Sequence, residues 1–222
     1  MMKKLGIIAG GGHLPRQLID GCRAQGRPFA VVGLKDFALP DLIGKDVGLW
    51  IRLGEAGKAV KFFHDQGVEG IVMIGPVRRP SLFQLRPDWW TAKFLAKIGF
   101  KAFGDDHLLT SIIKYVETEG FKIIGVHEVL GDILATEGVF GKIKPDAQAL
   151  ADIEHGIKIA RGLGALDVGQ SVIVQQGIVL GVEAVEGTDA LIKRCKDLKR
   201  DGLGGVLVKT KKPQQEQRAD LP

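Results

Sequence analysis

Short apolar runs alternate along the first half of the chain with stretches of helical period. LGIIA, FAVVG, VGLWI, GIVMIG and FKIIGV carry almost no polar residue, which predicts strands covered on both faces, because a half-exposed strand would alternate. Between them, 14–24, 56–66, 89–100 and 107–119 repeat apolar residues three and four apart and predict amphipathic helices. Strand and helix in alternation predict a Rossmann-like parallel α/β domain over residues 1–131. The stretch GDILATEGVFGKIKP has no clear period and reads as a linker over 132–145. Beyond it, 147–163 predicts a helix, and SVIVQQGIVLGVEAV predicts a hairpin turning at Gln176-Gly177, where glycine supplies positive φ. The turn EGTD, a helix over 190–199 and a strand GVLVK ending at Lys209 complete a smaller α/β domain with a mixed sheet over 146–222.

With 222 residues, 45% of them hydrophobic, the chain buries a core and is not disordered. Its net charge of +5 suits an anionic partner. The basic residues are scattered apart from Lys209, Lys211 and Lys212, which favours small phosphates or an anionic lipid surface over nucleic acid. Cys22 and Cys195 show neither CxxC spacing nor a disulfide framework, consistent with a reducing cytoplasm. The opening MMKKLGIIAGGGHLP has too short an apolar run for a signal peptide, and no stretch approaches the ~18 apolar residues of a membrane span.

The candidate chemistry gathers at turns. Gly10, Gly11, Gly12 and His13 follow the first strand and open the first helix, where amides and the helix dipole hold a phosphate or merely make a tight turn. Pro15 stands where a dinucleotide fingerprint needs its third glycine. Arg78 and Arg79, between Pro76 and Pro80, form either an anion-reading loop or a solvated basic one. Asp105 and Asp106 precede a helix and either cap it or bind a sugar hydroxyl. His107 and His127 lack metal-ligand spacing, and Trp89, Trp90 and Phe94 suit packing. Glu183, Glu186 and Asp189 fall within seven residues at a Gly-Thr turn, with Arg194, Lys209, Lys212 and Arg218 following and Gln170 pointing to the same region. Clustered carboxylates repel unless a cation lies among them, so acids and bases together suit metal-assisted phosphate chemistry, a surface ion-pair network being the other reading.

GIIAGGGHLP, GPVRRP, GDDHLL, GVHEVL, LDVGQ, VEAVEGTDALIKR and KPQQEQRADLP, taken in this order, resemble the LpxI-type UDP-2,3-diacylglucosamine pyrophosphatases of lipid A biosynthesis over the whole chain. The resemblance implies hydrolysis of UDP-2,3-diacylglucosamine to UMP and lipid X by a Mg²⁺-dependent cytoplasmic enzyme, peripheral at the inner membrane, that holds the acyl chains between its two domains. It places the essential aspartate of R-x-D-L-P on Asp220, and EGTD on Glu186, Gly187, Thr188 and Asp189. Members of the family run on for roughly fifty residues past DLP, so a shortened second domain is expected. On this reading Asp220, with Glu186 or Asp189, holds Mg²⁺ and steers water. Lys209, Lys212 and Arg218 hold phosphate oxygens, while the glycine turn with Arg78 or Arg79 holds the nucleotide. Thr188, Arg194, Gln170, Asp105 and Asp106 complete the expected substrate contacts. A glycolipid nucleotide is the expected ligand, nucleic acid is not, and homodimerisation is left open. The alternatives are a non-catalytic lipid or nucleotide-sugar binding remnant, an NAD(P)-dependent oxidoreductase and a nucleic-acid module.

Overall fold

The structure, a computed structural model, describes residues 2–78, 85–98, 105–131, 133 and 137–213. The chain forms two compact units that divide between residues 135 and 136.

The first unit runs β1 (Leu5–Ala9), α1 (Leu14–Ala24), β2 (Phe29–Leu34), α2 (Pro40–Ile43), β3 (Val47–Ile51), α3 (Ala56–Asp65), β4 (Gly70–Ile74), α4 (Trp89–Ile98), α5 (Asp105–Thr118), β5 (Lys122–Ile123) and α6 (Val126–Leu130). Its sheet is parallel, in the order β3-β2-β1-β4-β5. Alternate residues of neighbouring strands serve opposite faces. Leu5, Ile7, Ala9 and Val31 pack with Leu18, Ile19 and Cys22 of α1 and Val129 of α6. Ala30, Val32 and Leu34 pack with Ala59 and Phe63 of α3 and Ile113 and Val116 of α5. Cover on both faces is why these strands are uninterrupted apolar runs, each fully buried aliphatic side chain contributing about 1.5–3 kcal/mol.

Two local readings change. The fifth apolar run does not continue as strand through Val126: β5 stops at Ile123, and α6 begins after Gly125, whose amide donates to the Glu128 carboxylate at 2.8 Å. That acid at the third helical position captures an amide the strand would have needed. Asp105 and Asp106 lie within the first turn of α5, where acids favour the helix dipole, and their side chains are outside the described set.

The second unit contains α7 (Ala147–Ala165), β6 (Ser171–Gln175), β7 (Ile178–Val182), α8 (Thr188–Cys195) and β8 (Val206–Lys209). Asp146 caps α7, accepting from the Ala149 amide at 2.8 Å. The β6–β7 turn places Gln176 at φ +55° and Gly177 at φ +75°, the left-handed pair of a tight hairpin. Buried Asp152 of α7 accepts from both turn amides, at 2.8 and 2.7 Å, tying helix to hairpin. Gln175, also buried, bonds the backbone of Arg200 and Leu203 and fixes the approach to β8.

The sheet order is β7-β6-β8, with both pairings antiparallel. β7 and β8 run the same way but never pair, because α8 carries the chain across β6. The three described strands are therefore antiparallel throughout rather than mixed. Val172, Val174 and Val208 face Ala160 of α7, while α8 packs against β6 and β7.

Candidate functional site

In the first unit the chain goes from β1 outward to β3 and then returns to the other side of β1 as β4. Such a reversal opens a crevice beyond the carboxyl ends of the two strands. The glycine turn and the loop carrying Arg78 both lie there. The Gly10 amide donates to Ile74 O at 2.8 Å and the Gly11 amide to Pro76 O at 2.9 Å. A Cβ on Gly10 would stand 2.6 Å from Gly75 O, and one on Gly75, at φ +93°, 2.4 Å from Gly11 O. These glycines let two loops touch, and the Gly10 and Gly11 amides are occupied by that contact. Gly12, at φ +73°, and His13 are exposed at the head of α1, with Pro15 buried in its first turn. Arg78 is exposed on the facing loop; Arg79 lies outside the described residues.

In the second unit the candidate residues meet where β6 begins and β7 and β8 end. Register pairs Ser171 with Lys209 across the sheet. The Glu183 amide donates to Ser171 O at 2.8 Å, extending the β7 pairing by one residue. Glu183, Ser171 and Lys209 thus form one row, on the face towards α8, whose first residue is Thr188.

The hydrogen bonds follow from that row. Glu183 is 7% exposed. Its Oε1 accepts from Thr188 Oγ1 at 2.7 Å and its Oε2 from the Gln170 amide at 3.2 Å. Lys209 Nζ donates to Thr188 Oγ1 at 3.1 Å, while the Ser171 hydroxyl lies 3.4 Å from the same oxygen. Burial pushes the Glu183 carboxyl up, but bonds from Thr188, Ser171 and the Gln170 amide, with the charge of Lys209, hold it below the usual carboxylate range. Lys209 is exposed. One residue further along the two strand ends, Gln170 Oε1 and Thr210 Oγ1 are buried without a hydrogen-bond partner among the described residues, the kind of deficit that a bound water relieves.

Other expected residues have structural employment. Glu186 Oε1 accepts from Arg194 Nε and Nη2 at 3.2 and 3.0 Å, and its Oε2 accepts from the Ala184 amide at 3.0 Å. Its own amide, then Arg194, hold its carboxyl below the ordinary range. Arg194 Nη2 also donates to Val182 O at 2.6 Å. Glu186 and Arg194 therefore brace the EGTD turn against β7. Lys212, its side chain 9% exposed, is paired with Asp167 at 2.8 Å. Asp189 is exposed in the first turn of α8, while Arg218 and Asp220 lie outside the described residues.

Gly169 was not singled out from the sequence. A Cβ there would lie 2.1 Å from Glu183 O. The motif LDVGQ is thereby accounted for: Asp167 holds Lys212, Gly169 admits the Glu183 backbone, and the Gln170 amide binds the Glu183 carboxylate.

Comparison with known proteins adds the chemistry. The LpxI N-terminal domain matches residues 4–133 and the LpxI C-terminal domain residues 136–222. This chain belongs to the LpxI family. The UDP-2,3-diacylglucosamine pyrophosphatase LpxI of Caulobacter vibrioides is 44% identical over 231 aligned positions, spanning all of this chain and 81% of that protein.

For an LpxI-family site the expected Mg²⁺ can be tested against the donors in place. No group of three His, Cys, Asp or Glu side chains comes together for a metal among the described residues. Both oxygens of Glu186 are already bonded. The described side chains do not by themselves furnish a metal's ligand set.

Proposed function

We propose that the chain hydrolyses the pyrophosphate bond of UDP-2,3-diacylglucosamine, releasing UMP and 2,3-diacylglucosamine 1-phosphate, lipid X, in lipid A biosynthesis. The observation that carries this reading is 44% identity, across the whole chain, with a pyrophosphatase of that name. The exposed ammonium of Lys209 suits an oxygen-rich anion.

Water attacks the phosphorus nearer the glucosamine, a new P–O bond forms, and the bridging oxygen leaves with UMP. Lys209 binds phosphate oxygens and stabilises the charge that grows on the bridging oxygen. Arg218 adds a second cation, and Asp220 orients the attacking water. In the first unit, with its Rossmann-like strand order, the head of α1 at Gly12 and His13, together with Arg78, receives the nucleotide. Asp220 with Asp189 would hold Mg²⁺, which when bound would neutralise phosphate charge. No helix among the described residues is long and apolar enough to cross a membrane. A diacyl substrate brings the enzyme to the cytoplasmic surface of the inner membrane as a peripheral protein.

UMP release from UDP-2,3-diacylglucosamine, with Mg²⁺ and after chelation, tests the reading. In H₂¹⁸O the label is expected in lipid X and not in UMP. Asp220→Ala is expected to abolish turnover while substrate still binds. A pure, folded chain that releases no UMP with Mg²⁺ present refutes the function.

A further inference from the structure

We propose that Glu183 is a positioning residue for Lys209, acting through the hydroxyl of Thr188. The inference deepens the reading of this site as the diphosphate site. Its geometry admits one arrangement of protons. An ionised carboxylate only accepts, an ammonium only donates, and the hydroxyl between them has a single hydrogen. Thr188 therefore donates to Glu183 Oε1 at 2.7 Å and accepts from Lys209 Nζ at 3.1 Å. The lysine keeps its remaining N–H bonds for phosphate oxygens.

Placing the acid one residue back serves the chemistry. A carboxylate paired directly with Lys209 would neutralise the cation and repel the substrate. Glu183 is instead buried and fixed by the Gln170 amide at 3.2 Å, and reaches the lysine through a neutral group. Register puts Ser171 between Glu183 and Lys209, so the row is set by the sheet and not by a mobile loop. A preset ammonium loses less side-chain entropy when the substrate arrives, and it need not reorganise as charge develops.

Thr188→Val keeps the shape and removes the hydroxyl. It is expected to lower kcat/KM for UDP-2,3-diacylglucosamine roughly tenfold or more, mainly through kcat, with Thr188→Ser restoring it to within about threefold. In a Lys209→Ala background, Thr188→Val and Glu183→Gln are each expected to cost less than about twofold further, because the residues act as one unit. Losses that multiply in full, or wild-type kcat/KM in Thr188→Val, overturn the proposal. A second measurement needs no turnover: ¹⁵N relaxation of the Lys209 ζ-ammonium in labelled full chain is expected to give a higher order parameter than the other exposed lysines, and that order is expected to fall in Thr188→Val and Glu183→Gln. Order unchanged in these variants sinks the positioning role even if the enzyme is active. Order lost as expected in a chain that releases no UMP upholds the positioning and removes the substrate assignment alone.

Discussion

Gly169→Ala tests how closely the second unit's fold and its site depend on each other. The added methyl would lie 2.1 Å from Glu183 O and 2.8 Å from its carbonyl carbon. An unstrained carbon–oxygen contact needs about 3.3 Å, so the two backbones must part by roughly 1 Å. The Glu183 amide bond to Ser171 O, now 2.8 Å, and the Gln170 amide bond to Glu183 Oε2, now 3.2 Å, would then both exceed hydrogen-bonding distance. Losing the two, at about 0.5–1.5 kcal/mol each, with residual crowding of about 1 kcal/mol, gives ~2–4 kcal/mol. In a domain of this size that lowers Tm by about 10–25 °C. Displacing Glu183 by such a distance also moves Thr188 and Lys209, for which a loss of ~100-fold in kcat/KM is expected. Calorimetry and UMP release under permissive conditions read the two effects. A Gly169→Ala protein with wild-type Tm and wild-type kcat/KM would refute the steric reasoning and the coupling of this backbone contact to the site.

Lys212→Met removes the cation from the Asp167 pair, and about 2 kcal/mol of stability is expected to go with it; denaturant unfolding that leaves the midpoint unmoved would show the pair to be neutral. The depressed Glu183 carboxyl makes a pH prediction. Its ionised form stabilises the fold above the unfolded glutamate value of about 4.3, and that contribution disappears as pH falls through the lower folded value. Glu183→Gln is therefore expected to be less stable at neutral pH, with a shallower loss between about pH 5 and pH 3; equal slopes in acid unfolding of the two proteins would contradict this.

The candidate site was only partly legible. The acids and bases around the Gly-Thr turn stood out by their density, but density does not say who bonds whom. Arg194 turned inward to Glu186 and Val182 O, and Lys212 to Asp167, whereas Glu183, the most buried of the three acids, anchors the one exposed lysine of the row. Gly169 could have been suspected only from its place before Gln170, since nothing in a sequence states that another backbone passes within 2.1 Å. The FKIIGV run shows a competition lost by periodicity: its last two residues suited a strand, but Glu128 captured the Gly125 amide and began a helix.

By itself the sequence determined the parallel first sheet, the positions of most helices, the hairpin at Gln176-Gly177 and the family. These depend on solvent exclusion and local turn chemistry, which act over a few residues and leave a periodic trace. Tertiary structure alone decided that Gly10 and Gly75 bring two loops into direct contact, that β6 separates β7 from β8, and that Thr188 stands between an acid and a lysine. Contacts such as that of Lys209 with Thr188, 21 positions apart, depend on strand order and register, which no local pattern encodes.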